Sequence, residues 1–121
     1  MATAGAVPLD LAAPGTWDVD DELPFNGDIE LLALEAFLSR RASEVAFVCL
    51  TALNNLGYSQ PVSMANIAAA SEPARRSGVA LFLDAARCAE NAYSIKRREN
   101  GYGERSVEQI VREMFSHADG Y

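Results

Sequence analysis

An α/β fold is predicted, built on a partial, mainly parallel sheet of about three strands with flanking helices. Three observations predict it. Strand-like and helix-like stretches alternate in the order strand, helix, strand, helix, strand, helix, helix. Two runs, 45–50 and 79–83, are continuously apolar rather than alternating, as expected of strands buried on both faces. A length of 121 residues allows one domain.

Residues 1–24 read as an acidic, Ala/Pro-rich N-terminal segment, and 25–121 as the α/β domain. Within the first, Val7-Pro8-Leu9-Asp10-Leu11 has the pattern of a short strand, which Pro8 confines to an edge or a strand start. Residues 13–24 form an acidic loop. Asn26-Gly27-Asp28 is a turn signal, with Asp28 as cap of the helix that follows. Leu31, Leu34 and Leu38 recur at helical spacing with Phe37 beside them, and Arg40 and Arg41 fall in the last turn, where cations suit the helix dipole.

After the 45–50 strand, residues 54–61 form a loop. Ser63 is the N-cap of a helix through Met64, Ile67 and Ala68, which Pro73 is expected to kink or end. Gly78 then breaks the chain, and the 79–83 strand ends at Asp84. Residues 87–99 make an amphipathic helix with Cys88, Ala92 and Ile95 on one face, stopped by Gly101-Tyr102-Gly103. Ser106 and Gln109 form a capping box ahead of Val107, Ile110, Val111, Met114 and Phe115, the clearest helical spacing in the chain.

Charge narrows the function. Ten basic against 17 acidic residues give a net charge of −7, which argues against a phosphate-backbone binder. Residues 1–39 hold eight acids and no Lys or Arg, a solvated acidic surface. No apolar stretch approaches the about 18 residues of a membrane span. The N-terminus lacks the basic region of a secretory signal, so a soluble cytoplasmic protein is expected, with no nucleic acid and no membrane as partner. Cys49 and Cys88 sit in apolar runs and are expected to be buried free thiols. His117 stands alone, so there is no Cys/His set at zinc spacing. The chain has a single lysine, Lys96.

Ligands in parallel α/β sheets bind at the carboxyl ends of the strands. The Asn54/Asn55 loop follows one strand, and Asp84 with Arg87 follows another. Asp84 either caps the next helix or faces a ligand, and position alone favours capping. Arg87 pairs with Asp84 or Glu90, or lines a cofactor rim. Tyr58, Tyr93 and Tyr102 read as core or rim aromatics. Lys96-Arg97-Arg98 reads as a solvated helix face, and His117 as a residue near a helix C-terminus.

Three motifs then stand out: Gln60-Pro61-Val62-Ser63-Met64-Ala65-Asn66; Leu83-Asp84-Ala85-Ala86-Arg87-Cys88-Ala89-Glu90-Asn91-Ala92-Tyr93; and Ile110-Val111-Arg112-Glu113-Met114-Phe115-Ser116-His117-Ala118-Asp119-Gly120. Together with Leu23-Pro24-Phe25-Asn26-Gly27-Asp28, they resemble the β-eliminating lyases of aromatic amino acids, the tryptophanase and tyrosine phenol-lyase family. The resemblance covers about residues 20–120.

It implies a fragment of the large domain of the aspartate aminotransferase-like fold, pyridoxal 5'-phosphate (PLP) as cofactor, and carbon–carbon bond cleavage in tyrosine or tryptophan. It places Asp84 on the pyridine nitrogen, where a carboxylate keeps the ring protonated, and Asn55 and Arg87 beside the 3-hydroxyl. It puts the cofactor-binding lysine a few residues beyond Gly120, with Lys96 at a non-catalytic helix position. The chain is therefore expected to be a middle slice of a longer enzyme: a split subunit, or a remnant inactive alone. Its expected partner is a complementary subunit or a second copy. Ala86 stands where the family has threonine, Tyr58 and Ser59 where it has two glycines, and Pro73 falls in a helix that is otherwise continuous. Such departures also fit an interaction or regulatory protein that retains the fold. A PLP-independent enzyme using Tyr58, Asn55, Asp84, Arg87 and His117 is the third reading.

Overall fold

The computed structural model describes residues 5–16, 24–53 and 60–121. Its elements follow the expected alternation: α1 (Leu31–Arg41), one 3-10 turn (Ala42–Glu44), β1 (Val48–Thr51), α2 (Met64–Arg76), β2 (Leu81–Asp84), α3 (Cys88–Arg98) and α4 (Val107–Ser116). No helix among the described residues is long and apolar enough to cross a membrane.

Among the described residues the sheet has two strands rather than three. β1 and β2 pair in parallel, with Val48 opposite Leu81, Cys49 opposite Phe82, Leu50 opposite Leu83 and Thr51 opposite Asp84. The segment 7–11 joins neither. Pro8 has no N–H to give a ladder, Val7 is 90% exposed, and the segment leads only to an isolated antiparallel bridge between Ala12 and Ile29. The second edge of β2 is met from the far end of the sequence. Asp119 N–H donates to Leu81 C=O (2.8 Å) and Leu83 N–H donates to Gly120 C=O (2.9 Å). The Asp119 carboxylate accepts from Leu81 N–H. Gly120 lies against the Phe82 ring, where a Cβ would approach a ring carbon to 2.5 Å.

The strands also start later than expected. Val45 N–H is tied back to Ala42 C=O, and the ladder opens only where Val48 N–H meets Ala80 C=O. They are buried on one face only. Val48, Leu50, Leu81 and Leu83 enter the core with Leu34, Ile67, Ile95, Ile110 and Met114 of the helices. Cys49 and Phe82 point the other way and are exposed. Phe82 meets Phe47 edge to face at 5.5 Å on that open side. The expectation of two buried thiols therefore fails: Cys49 is exposed and Cys88 half-buried. Among the described residues the helices bury one face of the sheet, so continuous apolarity reports a face left open, not a core on both sides.

The helix ends follow local chemistry, with one exchange of roles. Ser63 caps α2, accepting from Asn66 N–H, and Ser106 and Gln109 form the expected capping box. Glu30, not Asp28, caps α1. α2 is not ended at Pro73 but continues to Arg76. It stops at Gly78, whose φ of 68° is the left-handed conformation favoured past a helix end.

Candidate functional site

The carboxyl ends of β1 and β2 lie side by side, with Thr51 and Asp84 in register. Asp84 is exposed. Its carbonyl accepts from Ala52 N–H at 3.0 Å, tying the first residue after β1 to the end of β2. Among the described residues its carboxylate makes one long contact, accepting from Ala86 N–H at 3.4 Å. That bond caps weakly. Arg87 is the half-buried N-cap residue of α3 and lends no side-chain cap. The backbone thus brings Asp84 and Arg87 to one rim, three residues apart. Asn55, the third group expected there, lies outside the described residues, as do Tyr58 and Ser59. The chain enters that stretch through Leu53, whose φ of 55° is a left-handed conformation uncommon outside glycine.

Other candidates are placed elsewhere. Lys96 Nζ donates to the carbonyls of Gly103 (2.7 Å) and Arg105, so the one lysine clamps the α3–α4 loop. Tyr102 donates its hydroxyl to Glu113 at 2.7 Å. Burial, with the Glu113 carboxylate beside it, pushes its pKa up to about 12, so it does not ionise near neutrality. Arg105 lies over the Tyr102 ring and pairs with Glu113. Packing around Cys49 pushes that thiol above its ordinary range, which suits neither a nucleophile nor a metal ligand. His117 terminates α4, as its position predicts. No group of three or more His, Cys, Asp or Glu able to hold a metal occurs among the described residues.

The α2 N-terminus is where a parallel α/β fold commonly receives an anion. Here the chain fills it with its own carboxylates. Asp28 accepts from Ser63 N–H (2.7 Å) and from the Ser63 hydroxyl (3.0 Å). Glu99 accepts from Met64 N–H (2.7 Å) and Ala65 N–H (2.9 Å). Asp28 therefore serves a different helix from the one expected. Its burial raises its pKa above the ordinary value, against the lowering effect of the Ser63 bonds, and Glu99 adds to the rise. A carboxyl raised in the folded state binds its proton more tightly there than in the unfolded chain. Its contribution to stability is full at low pH and is lost as pH rises through the folded value. Wild type should accordingly gain stability relative to Asp28→Asn as pH falls from about 7 toward about 4. Melting curves of the two across that range check this; a gap that stays constant or narrows on acidification contradicts it.

Two residues that the sequence reading did not single out hold the frame of the site. Asn66 on α2 accepts from Ile29 N–H and donates to Ile29 C=O (2.9 and 3.0 Å). Asn91 on α3 does the same to Val62 (both 2.9 Å). The signal for Asn91 was present, because it interrupts the apolar stripe of Cys88, Ala92 and Ile95 with an amide. Such a residue is stable inside only with its bonds made.

The beta-eliminating lyase family model matches residues 1–121. Tryptophanase of Salinibacter ruber is 53% identical over 120 residues, which is 99% of this chain and 26% of that protein. Tyrosine phenol-lyase of Clostridium tetani is 42% identical over 117 residues, 96% of this chain and 25% of that protein. A probable beta-eliminating lyase of Trichomonas vaginalis is 39% identical over 115 residues, 95% of this chain and 25% of that protein. The chain thus spans about a quarter of the length of these relatives.

Proposed function

The chain belongs to the beta-eliminating lyase family, and from that premise we propose that it supplies one rim of a PLP site in an enzyme cleaving the side chain from tyrosine or tryptophan. The observation that carries this reading is Asp84. It closes a parallel strand at its carboxyl end, with an exposed carboxylate that makes, among the described residues, one long bond. A carboxylate so placed fits a protonated pyridine nitrogen. Arg87, at the start of the following helix, and Asn55 would donate to the ring's 3-oxygen. When bound, PLP supplies an electron sink for the carbanion of the amino-acid substrate. Asp84 holds the proton on the ring nitrogen, and Arg87 and Asn55 hold negative charge on the 3-oxygen.

Lys96 is no substitute for an amine at the cofactor aldehyde, because its ammonium is engaged by two loop carbonyls. The phosphate also needs another seat, since the chain's own acids occupy the start of α2. We place those two groups outside these 121 residues, and propose a complementary polypeptide or a second copy as an association partner. The open sheet face supports association, with Phe47 38% and Phe82 40% exposed.

The test is a PLP titration followed by absorbance, on wild type and Asp84→Ala. Loss of one charge-assisted hydrogen bond should weaken binding about tenfold or more. Equal binding by both would show that Asp84 does not face the ring. Sedimentation of the same samples should show a species heavier than the 13.0 kDa chain; a lone monomer at high concentration removes the association.

A further inference from the structure

We infer that Asp119 is a positioning residue for the site, holding the carboxyl end of β2 where it presents Asp84. The inference rests on the reading above in one respect, that Asp84 meets the cofactor's ring nitrogen. Asp119 belongs to no strand, yet it brackets Leu81 as a residue of a neighbouring strand would. Its N–H donates to Leu81 C=O and its carboxylate accepts from Leu81 N–H, both at 2.8 Å. Gly120 C=O then accepts from Leu83 N–H at 2.9 Å, one residue before Asp84. Gly120 permits this approach, since a Cβ there would stand 2.5 Å from a Phe82 ring carbon.

On its other edge β2 has β1, where Asp84 C=O accepts from Ala52 N–H. The carboxyl end of a four-residue strand is thus gripped from both sides. The second grip is anchored on the helices. Residues 118–121 leave α4 directly, and Tyr121 stacks on Phe115 with ring centroids 4.4 Å apart. α4 packs against α3, whose N-cap residue is Arg87. Leu81 and Leu83 are buried, so their N–H groups need acceptors, and residues 119–120 supply both. Without the Asp119 oxygen, Leu81 N–H is buried and has lost its acceptor. That cost is relieved when 119–120 draws away from β2 and admits water. The retreat releases Leu83 N–H and lets Asp84 move.

The test uses the full chain with Asp119→Ala, which loses the side-chain acceptor, and Asp119→Asn, which keeps an oxygen in its place. Asp119 is exposed, so neither substitution cuts into the core. Each variant and wild type are titrated with PLP and with its analogue carrying carbon in place of the ring nitrogen. In Asp119→Ala, displacement of Asp84 should lower PLP affinity about tenfold, the worth of its charge-assisted hydrogen bond, with the analogue's affinity unchanged. Asp119→Asn should restore the wild-type affinity for PLP. A general loosening of structure would lower both ligands alike, and that result overturns the inference. So does no change in either, or an equal loss in the asparagine variant.

Amide exchange, measured on the same samples, decides the grip on β2 without any ligand. Faster exchange at Leu83 in Asp119→Ala, with α1 unchanged, supports it, and unaltered exchange there overturns it. Wild type binding the two ligands equally, or neither, would defeat the cofactor reading alone.

Discussion

Gly27→Ala is expected to lower the unfolding free energy by about 2–4 kcal/mol, combining overpacking with the loss of a buried hydrogen bond. A Cβ at this position would stand 2.5 Å from Gln60 C=O and 2.8 Å from Pro61 C=O. Both obstacles are backbone atoms, so no rotamer change relieves the contact. The segments must separate, and the bond from Gly27 N–H to Pro61 C=O (3.1 Å) opens with them. These are the two strips that Asn66 and Asn91 hold in place. The same substitution should therefore weaken PLP binding as well as stability. Denaturant titration measures the first effect. An alanine variant within about 0.5 kcal/mol of wild type would mean that the strips tolerate separation.

Ile110→Ala should cost a comparable about 2–5 kcal/mol, the range for truncating a fully buried aliphatic side chain. Ile110 has no exposed surface, and α4 makes its main packing contact with α3. Neighbours held by the Lys96 and Tyr102–Glu113 clamps have little freedom to fill the vacated volume. Leu32→Ala is the control. Leu32 is 77% exposed on α1, and its truncation should change stability by no more than about 0.5 kcal/mol. Equal losses for the two would show that burial does not set the cost here.

Much of the chain was legible before its fold was known, because the relevant interactions are local. The capping box of Ser106 and Gln109, the Ser63 cap and the spacing of α4 involve residues within a turn or two of each other. The placement of Asp84 at the end of β2 and of Arg87 at the start of α3 was legible for a similar reason, while their expected role toward a cofactor came from the resemblance. The family was legible in three ordered motifs, and the match of the family model to residues 1–121 agrees. Asn55 was singled out too, but it lies outside the described residues.

What the sequence misread depends on which distant segments meet. Asp28 looked like the cap of its own helix, and it serves α2 because the turn at Gly27 packs on Pro61, 34 positions later. The third partner of the sheet looked N-terminal and is residues 119–120, since Pro8 removes a donor while Asp119 and Gly120 present backbone to β2. Cys49 and Phe82 looked buried, and they face outward because the helices cover the other side of the sheet.

Sequence alone determined the alternation from α1 to α4 and most helix ends, set by short-range spacing and steric preference, and the family through the resemblance of its motifs. Tertiary structure alone decided the number of strands, the open face, the carboxylates at α2 and the Asn91–Val62 clamp. Each of those is a contact between residues far apart in the chain, and no local pattern specifies which buried N–H finds which acceptor.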